Sequence, residues 1–285
     1  YFGGVSIFPI DVFKKINGYS NKYWGWGFED NDLLYRCQKH GVPLDKKEIQ
    51  HKPGNTAALK FNGMNSFVKC KNVINVRRKL TIFVTFSPAD TVLDHLEDED
   101  IYGVLGIAGY DLMLSYSSYK RYSFNIFDNE DTPLYINSKI KTNYKTSVAI
   151  TIDPETRRIT MYQDGEFLKR IVYKKPLMNY IKEPNFYLGC ASPNRLGTEH
   201  WFNGKIGEVA IYNEILEQDE IRTLSENKYF GLANDFGEYK SSGNLVLYYD
   251  AKFIKGYQLV DLSGRGNDGQ INNCEIVGFD VDDFK

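Results

Sequence analysis

The sequence of 285 residues lacks several features that would assign it to a class of protein at once. It has no apolar run long enough to span a membrane and no recognisable secretion signal. Its formal net charge is −2, so no basic field favours nucleic acid or an anionic membrane surface. We therefore expect no nucleic-acid partner and no membrane span within these residues.

Cysteine pairs with metal-ligand spacing are also absent. The four cysteines lie far apart along the chain, at Cys37, Cys70, Cys190 and Cys274. No Asn-x-Ser/Thr sequon occurs, although asparagine is common. Because disulfides and N-glycans are typical of secreted proteins, both absences favour a reducing, non-secretory compartment. An initiator methionine is missing as well, and we expect the chain to be part of a longer protein.

Aromatic residues, by contrast, are abundant. They make up 15% of the chain, with 21 tyrosines and 18 phenylalanines. Aromatic side chains suit β-structure, and their faces stack on the C–H faces of sugars. The length of the chain allows about two domains. Composition therefore favours a β-rich protein of about two domains with sugar-binding surfaces.

The most specific pattern is the stretch 23–32, Tyr-Trp-Gly-Trp-Gly-Phe-Glu-Asp-Asn-Asp. Its glycines let the backbone of a loop approach a ligand, and its two indoles can stack on a sugar ring. The carboxylates that follow can accept protons from sugar hydroxyls or act as a general base. The same acids also suit the N-cap and first turn of a helix. Capping accounts for part of the acidic cluster, but it does not account for Trp24, Trp26 and Glu29.

Together with the segments 1–6 and 16–20, this stretch resembles the C-terminal part of the β-1,4-galactosyltransferase family over roughly residues 1–50. The resemblance implies a small α/β fragment of a GT-A-type glycosyltransferase. It also implies inverting transfer from a UDP-sugar donor to a glycan or glycoprotein acceptor, with Mn²⁺ on the diphosphate. The nucleotide-binding half of the family is not represented in these residues. We therefore expect hexosyltransferase activity in the full-length parent and none in this chain alone.

Carried over by position, the resemblance assigns a role to each residue of the loop. Asp30 is the expected base that deprotonates the attacking hydroxyl, and Glu29 holds the acceptor sugar with it. The expected substrate-binding residues are Trp24, Trp26, Gly27 and Asp32. Phe28 stands where the family has glycine and Asn31 where it has an acid, which leaves loop movement and acceptor choice open.

A metal site is expected just after the loop. Glu48 and His51 occupy the places of two family ligands, and a carboxylate with an imidazole suits Mn²⁺. The spacing is shorter than in the family. The alternative for His51 is an exposed histidine near a domain junction.

From residue 57 onward, short alternating strands separated by turn residues predict a β-sandwich. Strands are predicted at 80–86, 147–152 and 159–162, with a hairpin turn at Asp164-Gly165 and a helix over 216–225. The segments 61–68, 162–165, 202–213 and 218–221 resemble the concanavalin A-like lectin/glucanase group in its laminin G-like branch. The resemblance implies a mainly β, jelly-roll fold. It leaves the ligand open, because this fold also serves hydrolases and adhesion modules.

The segments 243–251 and 260–271 resemble the opening strands of the same lectin group, although they stand at the end of the chain. Two alternatives follow: a circularly permuted sandwich, or the start of a second copy. We favour permutation, since an unpaired sheet edge would otherwise be exposed. The predicted domains are 1–55 for the transferase part, 56–230 for the sandwich and 231–285 for these returning strands.

Candidate ligand sites within the sandwich are less specific. Tyr116 and Tyr119, with Tyr110 and Tyr122, can build a stacking platform for sugar, and the alternative is ordinary cross-strand aromatic pairing in a core. The acidic run 94–100 is read as a solvated loop, with Ca²⁺ binding as the alternative. The same two alternatives, turn chemistry or a cation, apply to Asp261, Asn267 and Asp268.

The sequence hypothesis is therefore a galactosyltransferase-like enzyme that carries a lectin-like carbohydrate-binding domain. No pair of inward-facing carboxylates on a strand is recognisable, so hydrolysis by the sandwich is not expected. The alternative hypothesis is a non-catalytic carbohydrate-binding module, or an adhesion or structural module, with a vestigial transferase segment.

Overall fold

The structure is a computed structural model of the 285-residue chain, which divides into two compact units, Tyr1–His51 and Lys52–Lys285. The residues that it describes are Lys14, Lys39 and the ranges 57–89, 101–107, 111–117, 121–139, 145–194, 199–227 and 230–278. The fold given below is therefore that of the second unit.

Within these ranges the chain is mainly β. In chain order the strands are β1 Ala57–Asn62, β2 Phe67–Lys71, β3 Leu80–Pro88, β4 Ile101–Ile107, β5 Leu112–Ser117, β6 Arg121–Phe127, β7 Pro133–Lys139, β8 Thr146–Asp153, β9 Arg158–Gln163, β10 Glu166–Val172, β11 Asn185–Leu188, β12 Asn203–Tyr212, β13 Leu245–Asp250, β14 Ile254–Lys255, β15 Gln258–Leu259, β16 Gly269–Asn272 and β17 Glu275–Gly278. The helix α1 spans Gln218–Glu226, and short 3₁₀ turns lie at Tyr180–Lys182 and Ser242–Asn244.

The strands form two antiparallel sheets, as the sequence predicted. The first sheet has the order β10-β9-β8-β3-β12-β1-β17, and β13 also pairs with β12. The second has the order β14-β15-β16-β2-β11-β4-β5-β6-β7. The predicted hairpin and the strands around 80–86, 147–152 and 159–162 are confirmed as parts of the first sheet.

The main core contains large apolar side chains from strands of both sheets. Side chains alternate between the faces of a strand, so every second residue of β1, β3 and β6 reaches it. Phe86 is completely buried in this core, with the Tyr122 ring 5.3 Å away edge-on and the Phe202 ring 6.0 Å away. Phe61 packs on Phe202 at 5.9 Å. Such edge-to-face contacts add to the stabilisation from apolar burial.

A second apolar cluster covers the other face of the first sheet. Phe83, Ala210 and Tyr212 project from β3 and β12 on this face, and Ile221 and Leu224 of α1 pack against them. Strand β3 is consequently buried along its whole length, on both faces. Because this cluster covers the outer face of the first sheet, an open sheet face for a ligand is expected on the second sheet.

The β9–β10 hairpin turns at Asp164 and Gly165, whose φ angles are +50° and +82°. Two positive φ angles match the twist of a two-residue hairpin, which explains the Asp-Gly pair. The Asp164 carboxylate accepts hydrogen bonds from the Ser147 N–H at 2.8 Å and the Thr146 hydroxyl at 2.9 Å. The turn lies so close to α1 that a Cβ on Gly165 would come within 2.6 Å of the Arg222 Cα.

The carboxy-terminal strands occupy places in both sheets. Strand β13 pairs with β12, with Leu247 opposite Ile211, and β16 pairs with β2. Strand β17 pairs with β1, which sets Ala57 opposite Gly278. The segment 245–278 therefore belongs to the same two sheets as the strands that start at residue 57.

Candidate functional site

The residues that the sequence singled out for catalysis and metal binding fall outside the described ranges. They are Trp24, Trp26, Gly27, Glu29, Asp30, Asp32, Glu48 and His51. Their roles stay predictions from the sequence. Tyr119, the acidic run 94–100 and Tyr110 also lie outside the described ranges.

The structure describes two tyrosines of the predicted sugar-stacking platform, and both are buried rather than at the surface. Tyr116 and Tyr122 are 1% and 0% exposed, and their ring centroids are 6.0 Å apart. Both belong to the main core, since alternate residues of β5 and β6 point between the sheets. Tyr116 therefore packs in the core, the alternative named above, and it offers no ring face to a sugar.

A different aromatic group lies on the outer face of the second sheet. Phe67 of β2 alternates with the buried Val68 and so points away from the core. Its ring centroid lies 6.1 Å from that of Tyr187 on β11 and 6.1 Å from that of Trp201. All three side chains are partly exposed. Together they are called the aromatic cluster below.

A groove of about 450 Å³ lies on the same sheet. Its lining residues come from β2, β11, β15, β16 and the turns beside them: Lys69, Lys71, Asn185, Tyr257, Gln258, Asp268 and Gln270. The lining combines ammonium, amide and phenol groups, which can donate to or accept from sugar hydroxyls. We call this the polar groove.

Strand register joins the aromatic cluster and the polar groove into one surface. Tyr187 lies opposite Lys69, and Lys69 lies opposite Gln270. Residues directly opposite in an antiparallel pair share a face of the sheet. Phe67 and Lys69 also share this face, two residues apart on β2. Aromatic rings thus stand beside hydrogen-bonding groups, an arrangement suited to a sugar with both an apolar and a hydroxylated side.

The electrostatics of the groove are dominated by its lysines. Lys69 and Lys71 are exposed, and neither has a carboxylate within 4 Å among the described residues. Of the described residues, Asp268 is the single acid that lines the groove, and its Oδ1 accepts the Asp261 N–H at 2.8 Å. Partial burial raises the pKa of Tyr187, so its hydroxyl stays protonated and can donate.

The first sheet carries a pair of carboxyl groups that sequence reasoning did not bring together. Glu208 of β12 lies opposite Asp250 of β13. Burial, and then the nearby Asp250 charge, raise the pKa of Glu208 to about 7. The Tyr248 hydroxyl donates to Glu208 at 3.1 Å, and the Lys252 ammonium lies 3.7 Å from Asp250. These contacts tie β13 to β12 and give the pair a structural role.

No group of three or more histidine, cysteine, aspartate or glutamate side chains is placed to hold a metal ion in the described part of the chain. At the turn considered for a cation, both carboxylate oxygens of Asp261 are engaged. They accept the N–H groups of Tyr248, Ser263 and Asn267 at 2.9–3.1 Å. Turn chemistry therefore accounts for this segment.

Sequence reasoning missed Trp201, Tyr187 and the groove lysines. Trp201 is one of three tryptophans in the chain and precedes the predicted closing strand, which was an available signal. The groove had no comparable signal, because its residues come from segments as far apart as 69 and 270. Strand pairing alone brings them together.

Comparisons with known proteins follow the same division of the chain. A family model described as the N-terminal domain of galactosyltransferase matches residues 1–56. A model described as the concanavalin A-like lectin/glucanases superfamily matches residues 91–222. The expectation that the first segment corresponds to a C-terminal part is corrected by the description of the matching model. The described helices include none long and apolar enough to cross a membrane.

Individual relatives show how far each likeness extends. Beta-1,4-galactosyltransferase 4 of Mus musculus is 48% identical over 46 residues, which are 16% of this chain and 13% of the mouse protein. This chain thus spans about an eighth of that relative. The structure of a candidate carbohydrate-binding protein from Bacteroides ovatus matches with a TM-score of 0.60 and 18% identity, over 79% of this chain and 60% of that one.

A pentraxin of Limulus polyphemus also matches, with a TM-score of 0.51 and 12% identity, over 80% of this chain and 96% of that one. At these identities the structural likenesses show the fold. Taken together, the comparisons and the two sheets show that the chain joins a galactosyltransferase-like segment to a concanavalin A-like β-sandwich.

Proposed function

We propose that this chain is part of an inverting, UDP-sugar-dependent glycosyltransferase of the galactosyltransferase type whose β-sandwich binds glycan. The observation that carries the sugar-binding half is the contiguous aromatic cluster and polar groove on the second sheet. The transferase half is supported by the loop 23–32 and by the family model over residues 1–56.

In the transferase segment, Asp30 is proposed to take the proton from the acceptor hydroxyl as that oxygen attacks the donor sugar. Glu29 and Asp32 would orient the acceptor and the loop, while Trp24, Trp26 and Gly27 would cover the sugar and exclude water. Glu48 and His51 supply donors that suit Mn²⁺, which would neutralise charge on the diphosphate leaving group.

In the sandwich, a sugar ring would stack on the aromatic cluster while its hydroxyls reach the amides and lysines of the polar groove. Binding one part of a glycan here would raise the effective concentration of other parts at the transferase segment. The expected partners are therefore a UDP-sugar donor and a glycan or glycoprotein acceptor.

The catalytic proposal is tested on the full-length parent with UDP-galactose, Mn²⁺ and N-acetylglucosamine. Asp30→Asn should lower kcat by at least about a hundredfold, since loss of general-base catalysis typically costs that much. Glu238→Gln, a charge-matched change at an exposed acid of the sandwich, should leave kcat unchanged. A folded parent that transfers sugar from no UDP-sugar donor would contradict the proposal.

The alternative is a non-catalytic carbohydrate-binding or adhesion module with a vestigial transferase segment. It is favoured by the fact that the aromatic cluster and polar groove lie wholly within the sandwich. A glycan array of the intact chain distinguishes the two. Sugar binding that survives Trp26→Ala and Asp30→Ala, in a parent without transfer activity, supports the alternative.

A further inference from the structure

Among the residues that the structure describes, the lysines of the polar groove have no carboxylate in salt-bridge contact. Lys69 and Lys71 alternate with the buried Cys70 on β2, so both ammonium groups leave the sheet on the same face. Neither forms an ion pair with a described residue. A pair of unpaired cations in one groove is a binding feature for an anion.

Strand register adds a third lysine to this face. Gln270 lies opposite Lys69 and also opposite Gln258, and Gln258 lies opposite Lys255. Since opposite residues share a face, Lys255 stands at the far end of the same row. In the described part of the chain, three lysines thus share this face with one groove-lining acid, Asp268, although the formal net charge of the whole sequence is −2.

The remaining groups of the face are those that a sugar ring needs. Asn185, Gln258 and Gln270 supply amides, and Tyr187 supplies an aromatic side chain that lies opposite Lys69. The groove volume of about 450 Å³ lies within the range of small-molecule sites, about 300–1,000 Å³. The amides and the paired ammonium groups therefore line a space large enough for a saccharide, and the Tyr187 side chain stands beside it on the same face of the sheet.

We infer that the polar groove binds an acidic saccharide, one that carries a carboxylate or sulfate group, with the acid between Lys69 and Lys71. Lysine ammonium groups hold such anions through charge-assisted hydrogen bonds. This inference rests on the proposed sugar-binding function and adds to it the chemical class of the ligand.

The test is calorimetric titration of the intact chain with three oligosaccharides of equal length. A heparin fragment carries sulfate and carboxylate, a hyaluronan fragment carries carboxylate alone, and a chitin fragment is neutral. The variant Lys69→Gln/Lys71→Gln removes the paired charges. Lys169→Gln/Lys174→Gln removes two exposed lysines elsewhere on the sandwich and serves as the matched control.

We expect an acidic fragment to bind the unsubstituted chain, and its Kd to rise at least about tenfold in Lys69→Gln/Lys71→Gln. The Kd should also rise between about 0.05 and about 0.5 M NaCl, because the contacts are exposed to solvent. The control variant should bind as the unsubstituted chain does, and Lys69→Arg/Lys71→Arg should retain binding. Binding of heparin alone identifies sulfate as the recognised group, and binding of hyaluronan identifies carboxylate.

Two results would overturn the inference. If the chitin fragment binds as tightly as the acidic ones, or if Lys69→Gln/Lys71→Gln binds like the control, the groove does not select acidic sugars, while sugar binding by the sandwich stands. If a folded chain binds none of the fragments, and a wider glycan array is also silent, the sugar-binding function fails together with this inference.

Discussion

Glu208 shows how one partly buried acid can link the stability of the sandwich to pH. It lies where β12 meets β13, beside Asp250 and under the Tyr248 hydroxyl. Burial and the neighbouring carboxylate both oppose its ionisation, and its pKa rises from an ordinary 4.5 to about 7. In the folded state, therefore, the group holds its proton at pH values where the unfolded chain has lost it.

Stability should accordingly fall as pH rises from about 4.5 to about 7. Between these values the folded protein binds more protons than the unfolded chain, so the contribution of this group is fully present below the window and is lost above it. The expected loss is on the order of 1–3 kcal/mol. Urea unfolding across this range should show the slope in the unsubstituted chain.

Glu208→Gln should remove most of that slope, because the amide does not titrate. Glu238→Gln, at an exposed position, is the control and should keep it. Equal slopes in the two variants would show that another group is responsible.

The aromatic residues show that the position of a residue in the sequence does not by itself predict whether its side chain is buried or exposed. Tyr116 and Trp201 are both aromatic residues in or beside strands, yet one is buried and the other is part of a surface cluster. The difference depends on which face of which sheet each residue occupies. Alternation along one strand shows which residues share a face of the sheet. It does not show which of the two faces is buried, because that also depends on the strands that pair with it.

The β9–β10 hairpin and α1 depend on each other at the element scale. The turn at Gly165 has a positive φ and contacts the backbone of Arg222, so it admits no Cβ. Arg222 in turn lies 3.1 Å from the Glu166 carboxylate at the start of β10. The helix thus covers the first sheet in a position that the hairpin helps to fix.

Gly165→Ala should therefore lower the free energy of unfolding by about 2–4 kcal/mol, from backbone strain and from overpacking against α1. Gly243→Ala is the matched control, because a Cβ there would meet nothing within 4 Å and no positive φ is required. Its effect should stay within about 0.5 kcal/mol. Chemical denaturation of both variants measures the difference, and equal losses would contradict the docking of the hairpin on α1.

Strands and turns with a strong local signal were predictable from the sequence. The Asp-Gly turn, the β-branched runs of β3 and β8 and the helix near 216–225 all appear, with α1 beginning at Gln218. The order of strands in the sheets was not predictable in the same way. Neighbours such as β1 and β12, or β2 and β16, are far apart in sequence, and nothing local specifies their pairing.

Strand β13 provides a test of how fully the carboxy-terminal segment is integrated. Leu247 is completely buried in the main core, whereas Phe253 just beyond the strand is half exposed. Leu247→Ala should lower the free energy of unfolding by about 2–5 kcal/mol and Phe253→Ala by much less. Thermal unfolding followed by circular dichroism should remain a single transition in both. A separate early transition in Leu247→Ala would mean that the segment unfolds independently.

For the whole molecule, the two proposed activities should be separable by substitution. Trp201→Ala should weaken glycan binding by the intact chain at least about tenfold, as expected for loss of a stacking ring, while transfer to a free monosaccharide by the parent is unchanged. Trp26→Ala should do the reverse. Transfer kinetics and glycan binding of both variants provide the check, and a variant that loses both activities while folded would contradict the separation.

The pairing of β1 with β17 has a consequence for how such a sandwich can be built into larger proteins. Ala57 and Gly278 are cross-strand partners, so the first and last described residues of the sandwich lie about 5 Å apart. A module whose two ends lie close together can be inserted into a surface loop of a host protein without separating the ends of that loop. The same closeness allows a short peptide to join the two ends and new termini to be made at an exposed turn. The strand pairing of both sheets would be unchanged in such a permuted protein.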